Sequence, residues 1–131
     1  MWTFRGLLAI VLFLFGSTYL WMTPAFAGRT PPPTGTAWTL VNVLALAAVT
    51  GFTIAAWGVL RHHAWWAPVT LVSAIVGLVA LIPFLIGLRQ IGGGPADPGI
   101  QINLWMHLLG GAVAVALVRL PHLHTWVVHR L

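Results

Sequence analysis

The sequence has no cysteine, no lysine and no glutamate, and its one acidic side chain is Asp97. Each absence removes a class of chemistry. Without cysteine there is no disulfide exchange, no thiolate nucleophile and no Cys-ligated zinc or iron–sulfur cluster. Without lysine there is no Schiff-base site. Paired carboxylates for glycosidase-type or proton-relay work need two acids, and one is present. Charged residues make up only 5% of the chain, against about 25% in soluble domains. The six arginines are dispersed singly, which argues against the clustered basic surface that nucleic acid requires.

What remains is 131 residues, 60% of them apolar. The arginines punctuate the chain: no formal charge lies between Arg5 and Arg29, Arg29 and Arg61, Arg61 and Arg89, or Asp97 and Arg119. Each gap is long enough to cross a bilayer, because about 20 apolar residues at 1.5 Å rise span roughly 30 Å of hydrocarbon. Spans are predicted near 6–22, 38–60, 69–88 and 100–120, within a single transmembrane domain over 1–131. Lipid offers no partner to a backbone amide, and the runs do not alternate as barrel strands do, so the spans must be helices. The fold class is therefore all-α: an integral-membrane four-helix bundle with a short interfacial helix at its C-terminal end.

Thr3, Thr36 and Asp97 stand where N-caps belong, and Pro98 follows Asp97 at the favoured first helical position. Pro24, Pro31 to Pro33, Pro68 and Pro121 mark ends, while Pro83 falls inside the third span and should kink it near Leu81–Phe84. With the N-terminus inside, Arg5, Arg61, Arg119 and Arg130 are cytoplasmic and only Arg29 and Arg89 lie outside, which favours an N-in, C-in arrangement. Trp2, Trp65, Trp66 and Trp126 then read as an inner aromatic belt, and Tyr19, Trp21 and Trp38 as an outer one. The implied location is the bacterial inner membrane. Ala25-Phe26-Ala27 looks like a signal-peptidase site, but the apolar run before it is long for a signal segment, so the expectation is that it is retained as the first span.

The connections differ. The triple proline makes 28–36 an extended outer loop, and Gly92-Gly93-Gly94 makes 90–99 a flexible one without the pattern of a phosphate cradle. The short link 61–67 makes the second and third helices antiparallel neighbours. In the tail, Leu123, Trp126, Val127, Val128 and Leu131 share one arc of a helical wheel, opposite His122, Thr125 and His129, with His124 and Arg130 out of place.

Apolar burial cannot join helices in lipid, so association needs small residues that let backbones approach. Ala47, Gly51 and Ala55 recur at four-residue spacing, with Gly58 further along the same helix; Ser73 and Gly77, and Gly110 and Ala114, repeat the pattern. These faces serve packing within the chain or against another subunit.

Polar side chains at bilayer depth are costly and are functional candidates. Ser17, Thr18, Asn42, Asn103 and His107 all fall in the outer half, with Asn103 and His107 four apart on one helix face. One reading is a small-molecule or proton site around a neutral His107; the other is interhelical hydrogen bonding worth about 0.6 kcal/mol per pair. His62, His63, His122, His124 and His129 lie at the inner boundary, and their spacings put none four apart on a helix, so headgroup contact is favoured over metal binding and no cofactor is expected.

The third helix reads Ala80-Leu81-Ile82-Pro83-Phe84-Leu85, and the fourth reads Met106-His107-Leu108-Leu109-Gly110-Gly111-Ala112 before Arg119 and Pro121. Over these last two helices the chain resembles small four-span bacterial membrane families of unknown function, a resemblance that implies the four-span fold and no activity. No nucleophile–base pair or metal triad can be assembled at one depth, so the expectation is a non-enzymatic protein. It is read as an accessory or assembly subunit or a homo-oligomer, its partners the bilayer and other membrane subunits or itself, with no nucleic acid. The alternative is a binding or transport protein that uses the outer polar pocket.

Overall fold

A computed structural model describes residues 2–93 and 98–131. It contains α1 (Phe4–Ser17), α2 (Thr36–Leu60), α3 (Trp66–Gln90), α4 (Pro98–Arg119) and α5 (Pro121–Val128), and no strand among the described residues. A 3-10 turn over Thr18–Met22 prolongs α1, and a second covers Pro24–Phe26. With that prolongation, four helical segments are long and apolar enough to cross a membrane: Phe4–Met22, Thr36–Leu60, Trp66–Gln90 and Pro98–Arg119. This is the architecture of a multi-pass membrane protein.

The helices alternate in direction. One end of the bundle carries both termini and α5; the far end carries the 3-10 turns and the start of α4. The α2–α3 pair forms the central interface, with α1 against α2 and α4 against α3. Small residues fill the seams: Ala45, Ala48, Ala55, Ala74 and Ala80 are fully buried, whereas Val43, Leu46, Ile54, Val72, Ile75 and Ile82 point outward. This pattern suits lipid, where bulky side chains lose nothing by facing out and close backbone approach supplies the cohesion.

The ends follow backbone accounting. Thr3 caps α1, its Oγ1 accepting from the Gly6 N–H at 3.1 Å. Thr36 does not cap α2 as expected; it is the first helical residue. The cap is Gly35, whose φ of 115° is open to glycine and costly to other residues. Asp97 lies outside the described residues. Pro68 also behaves otherwise than expected: α3 begins upstream of it at Trp66, because a proline in the first helical turn removes an N–H that has no partner there anyway. Pro83 is buried, and α3 continues through it without interruption.

Both ends of the α2–α3 hairpin close by the same device. At the end of α3, the Gly93 and Gly92 N–H groups donate to Leu88 and Arg89 carbonyls at 2.8 and 3.2 Å, with Gly92 at φ 75°. At the end of α2, the His63 and His62 N–H groups donate to Gly58 and Val59 carbonyls at 2.9 and 3.3 Å, with His62 at φ 63°. These are matching Schellman closures, one with glycine and one with histidine at the left-handed position. Gly92 and Gly93 are thus a helix stop, where the sequence suggested a flexible run.

The tail helix α5 docks on the bundle rather than lying apart from it. Val127 is buried, the Trp126 ring meets Phe4 edge-on at 5.6 Å, and the Arg130 guanidinium sits 4.0 Å over Trp126. His124, out of place on the apolar arc of the helical wheel, stacks there on Trp66 at 6.1 Å.

Candidate functional site

The far half of the bundle is organised around Tyr19. As α1 tightens into its 3-10 turn, Ser17, Thr18 and Thr23 turn their hydroxyls back onto the Leu14, Phe15 and Leu20 carbonyls, and Tyr19 is aimed into the bundle axis. It is completely buried. Its ring stacks on Phe52 of α2 at 5.9 Å, meets Phe15 edge-on at 5.4 Å and lies 4.4 Å from the His107 ring of α4. From α3, Gly77 faces it: a Cβ there would stand 2.4 Å from the phenol carbon. One residue therefore touches all four spans.

His107 is equally enclosed, with no exposed surface. Its Nδ1 lies 2.7 Å from the Asn103 carbonyl, and a carbonyl only accepts, so the geometry assigns the neutral ring's proton to Nδ1. Nε2 is 3.1 Å from Thr18 Oγ1. The Thr18 hydroxyl also reaches the Phe15 carbonyl and has one proton to give, so its donation alternates between α1 and the imidazole. Asn103 continues the network: Nδ2 donates to the Trp21 carbonyl at 3.1 Å, and Oδ1 is buried with no partner. The Tyr19 hydroxyl and Trp38 Nε1 likewise lack partners.

Of the five polar residues grouped by depth, Thr18, Asn103 and His107 come together. Ser17 does not, since its hydroxyl bonds within its own helix to the Leu14 carbonyl at 2.7 Å. Asn42 does not either: α2 buries Trp38, Val41, Ala45 and Ala48, and Asn42 is left exposed beside that stripe. Among residues assigned to the aromatic belts, Tyr19, Trp38 and Trp66 are instead buried, whereas Trp2, Trp21 and Trp126 remain exposed. Tyr19 and Trp38 enter the interior because small residues face them, Gly77 and Gly87 respectively. The signal that could have found them is that pairing of a large aromatic with a glycine of another span.

The small-residue faces are placed as follows. Gly51 abuts Ser73, Gly58 abuts Trp65, Gly77 abuts Tyr19 and Gly110 abuts Phe15, each so closely that an added Cβ would fall under 3.0 Å from its neighbour. Ala55 and Ala114 are buried; Ala47 is exposed. Among the described residues, no group of three histidine or acidic side chains could hold a metal ion.

Next to Asn103 a cavity of about 620 Å³ opens at the far end. Trp21, Phe26, Phe84, Leu88 and Ile100 make its walls apolar, and Asn103 and Arg29 supply the polar side chains. Arg29 is held beside the cavity by a bond from its Nη2 to the Ile91 carbonyl. The volume falls within the roughly 300–1,000 Å³ range of small-molecule sites, and the lining of apolar wall with few polar groups is of the same kind. His107 lies behind this cavity, sealed from it, so the polar pocket expected around His107 is centred on Asn103. The enclosed His107 network can join helices and hold Asn103 in place; the cavity can bind. No protein-family profile, curated protein or solved structure matches this chain.

Proposed function

We propose that this chain is a non-enzymatic binding protein of the bacterial inner membrane, with four spans and both termini in the cytoplasm. Its far-end cavity opens to the outside and takes a small, largely apolar molecule. The observation that carries the reading is the cavity of about 620 Å³ itself, with apolar walls and only Asn103 and Arg29 as polar side chains. The orientation rests on four arginines at the termini end against two at the other.

A second reading, an accessory or assembly subunit or a homo-oligomer, draws on one feature. Ala47, Gly51, Val69, Val72 and Ser73 line a shallow apolar groove of about 370 Å³ on α2 and α3, a small-residue surface of the kind on which membrane helices pack.

Native mass spectrometry of the detergent-solubilised protein tests both. The expected result is a monomer that keeps a non-lipid small molecule, with Asn103→Leu and the cavity-filling Ala27→Trp both losing it. A protein free of small molecules in every preparation counts against the binding reading, and a stable dimer or a co-isolated subunit favours the second.

A further inference from the structure

The termini end holds a second, open cavity, of about 390 Å³, lined by the start of α1, the α2–α3 link, the start of α3 and α5. Its polar lining is Arg5, His62, His63 and His124, and Trp66 and Val128 are among its apolar residues. These groups come from four separate parts of the chain, and Arg5, His63 and His124 are held in place. Arg5 Nη1 donates to the Val59 carbonyl at 2.9 Å, which anchors the guanidinium and commits one of its five donors. The His124 ring is stacked on Trp66, and its Nδ1 is buried with no partner. His63 is stacked on Trp65 at 5.2 Å. His62 occupies the left-handed position that Gly92 fills in the equivalent closure of α3, a backbone conformation in which an imidazole is retained at some cost.

No acidic side chain lines the cavity, and Leu131, the last residue of the sequence, is part of its lining. A metal does not fit, because no three ligating side chains among the described residues converge. An anion with several acceptor oxygens does: a guanidinium suits phosphate oxygens, and imidazole N–H groups from other elements can reach further oxygens of the same group. The apolar residues beside them suit a phosphate attached to an acyl glycerol, at the depth of the exposed Trp126.

From this juxtaposition of Arg5 with His62, His63 and His124 around one cavity, we infer that the termini end is a binding site for a phosphate group. The phosphate comes from the headgroup of an anionic phospholipid or from free phosphate. The site is independent of the far-end cavity.

The test is native mass spectrometry of the delipidated full chain in detergent, titrated with dioctanoyl phosphatidylglycerol and, separately, with inorganic phosphate. The expected result is one retained phosphatidylglycerol. Its affinity falls roughly tenfold in Arg5→Gln, the loss expected of a charge-assisted hydrogen bond, and also falls in His124→Phe, which keeps a ring on Trp66 but removes Nδ1. Arg61→Gln, at the same end but outside the cavity lining, leaves it unchanged. Displacement of the lipid by inorganic phosphate assigns the source to free phosphate; lipid binding that inorganic phosphate does not disturb assigns it to the headgroup. If Arg5→Gln is poorly folded by circular dichroism, His124→Phe against Arg61→Gln decides. Equal binding in the wild type and both cavity variants overturns the inference, as does an equal loss in Arg61→Gln, which would reduce it to general attraction between arginine and anionic lipid.

Discussion

Tyr19 and His107 show how a single position is priced inside a membrane bundle. The Tyr19 ring is held by Phe15, Phe52, His107 and Gly77, while its hydroxyl has no partner. Ring and hydroxyl therefore pull in opposite directions. Tyr19→Phe should leave stability unchanged or raise it by up to about 1 kcal/mol, because it removes an unsatisfied polar atom and keeps the shape. Gly77→Ala should lower stability by about 1–3 kcal/mol, since its new methyl would need the space of the phenol ring. Unfolding by sodium dodecyl sulfate titration checks both, and a clear loss in Tyr19→Phe would reveal a partner for the hydroxyl. The Thr18–Asn103–His107 group was legible in the sequence, because depth along a helix is simple arithmetic and Asn103 and His107 are four apart. Tyr19 was not. Its inward direction depends on the 3-10 turn after Ser17 and on a glycine in a span more than fifty residues away.

At the scale of elements, the long helices were readable because charge is absent within them and they need no tertiary information to satisfy their backbones. Their ends were less so. Thr36 has the chemistry of a cap, yet Gly35 holds the position because the loop arrives in a left-handed conformation. His124 stands out of place on the apolar arc of the wheel, and stacking on Trp66 accounts for an imidazole there. The paired closures of α2 and α3 give the sharpest prediction here. His62 stands at φ 63° where the sister closure uses Gly92, and an L-residue there costs about 1–2 kcal/mol, part of which glycine loses again as chain entropy. His62→Gly should raise stability by about 0.5–1 kcal/mol in the same titration, while His62→Val, with a branched Cβ, should lower it. A fall for His62→Gly would mean that the imidazole makes a contact outweighing the strain.

The whole molecule reads as an inverted sorting problem: alanine and glycine inside, bulky aliphatic side chains outside, and arginine confined to the two ends. The placement of the cavities follows from it. The far-end cavity sits where the 3-10 turns, α3 and α4 diverge, and the Arg5–histidine cavity where the chain returns to the termini end. The sequence could order the charges along the chain, and so imply the spans, but no pattern in it encodes where helices diverge enough to leave a void. All of the functional reading depends on which end faces outward. The native absence of cysteine makes that directly measurable, because any introduced thiol is the sole reporter. Single variants Thr34→Cys, exposed in the far-end loop, and His129→Cys, exposed after α5, would be treated in intact cells with a membrane-impermeant maleimide. Labelling of Thr34→Cys in intact cells, with His129→Cys reacting only after permeabilisation, is the predicted result; labelling of His129→Cys from outside with Thr34→Cys protected would contradict it.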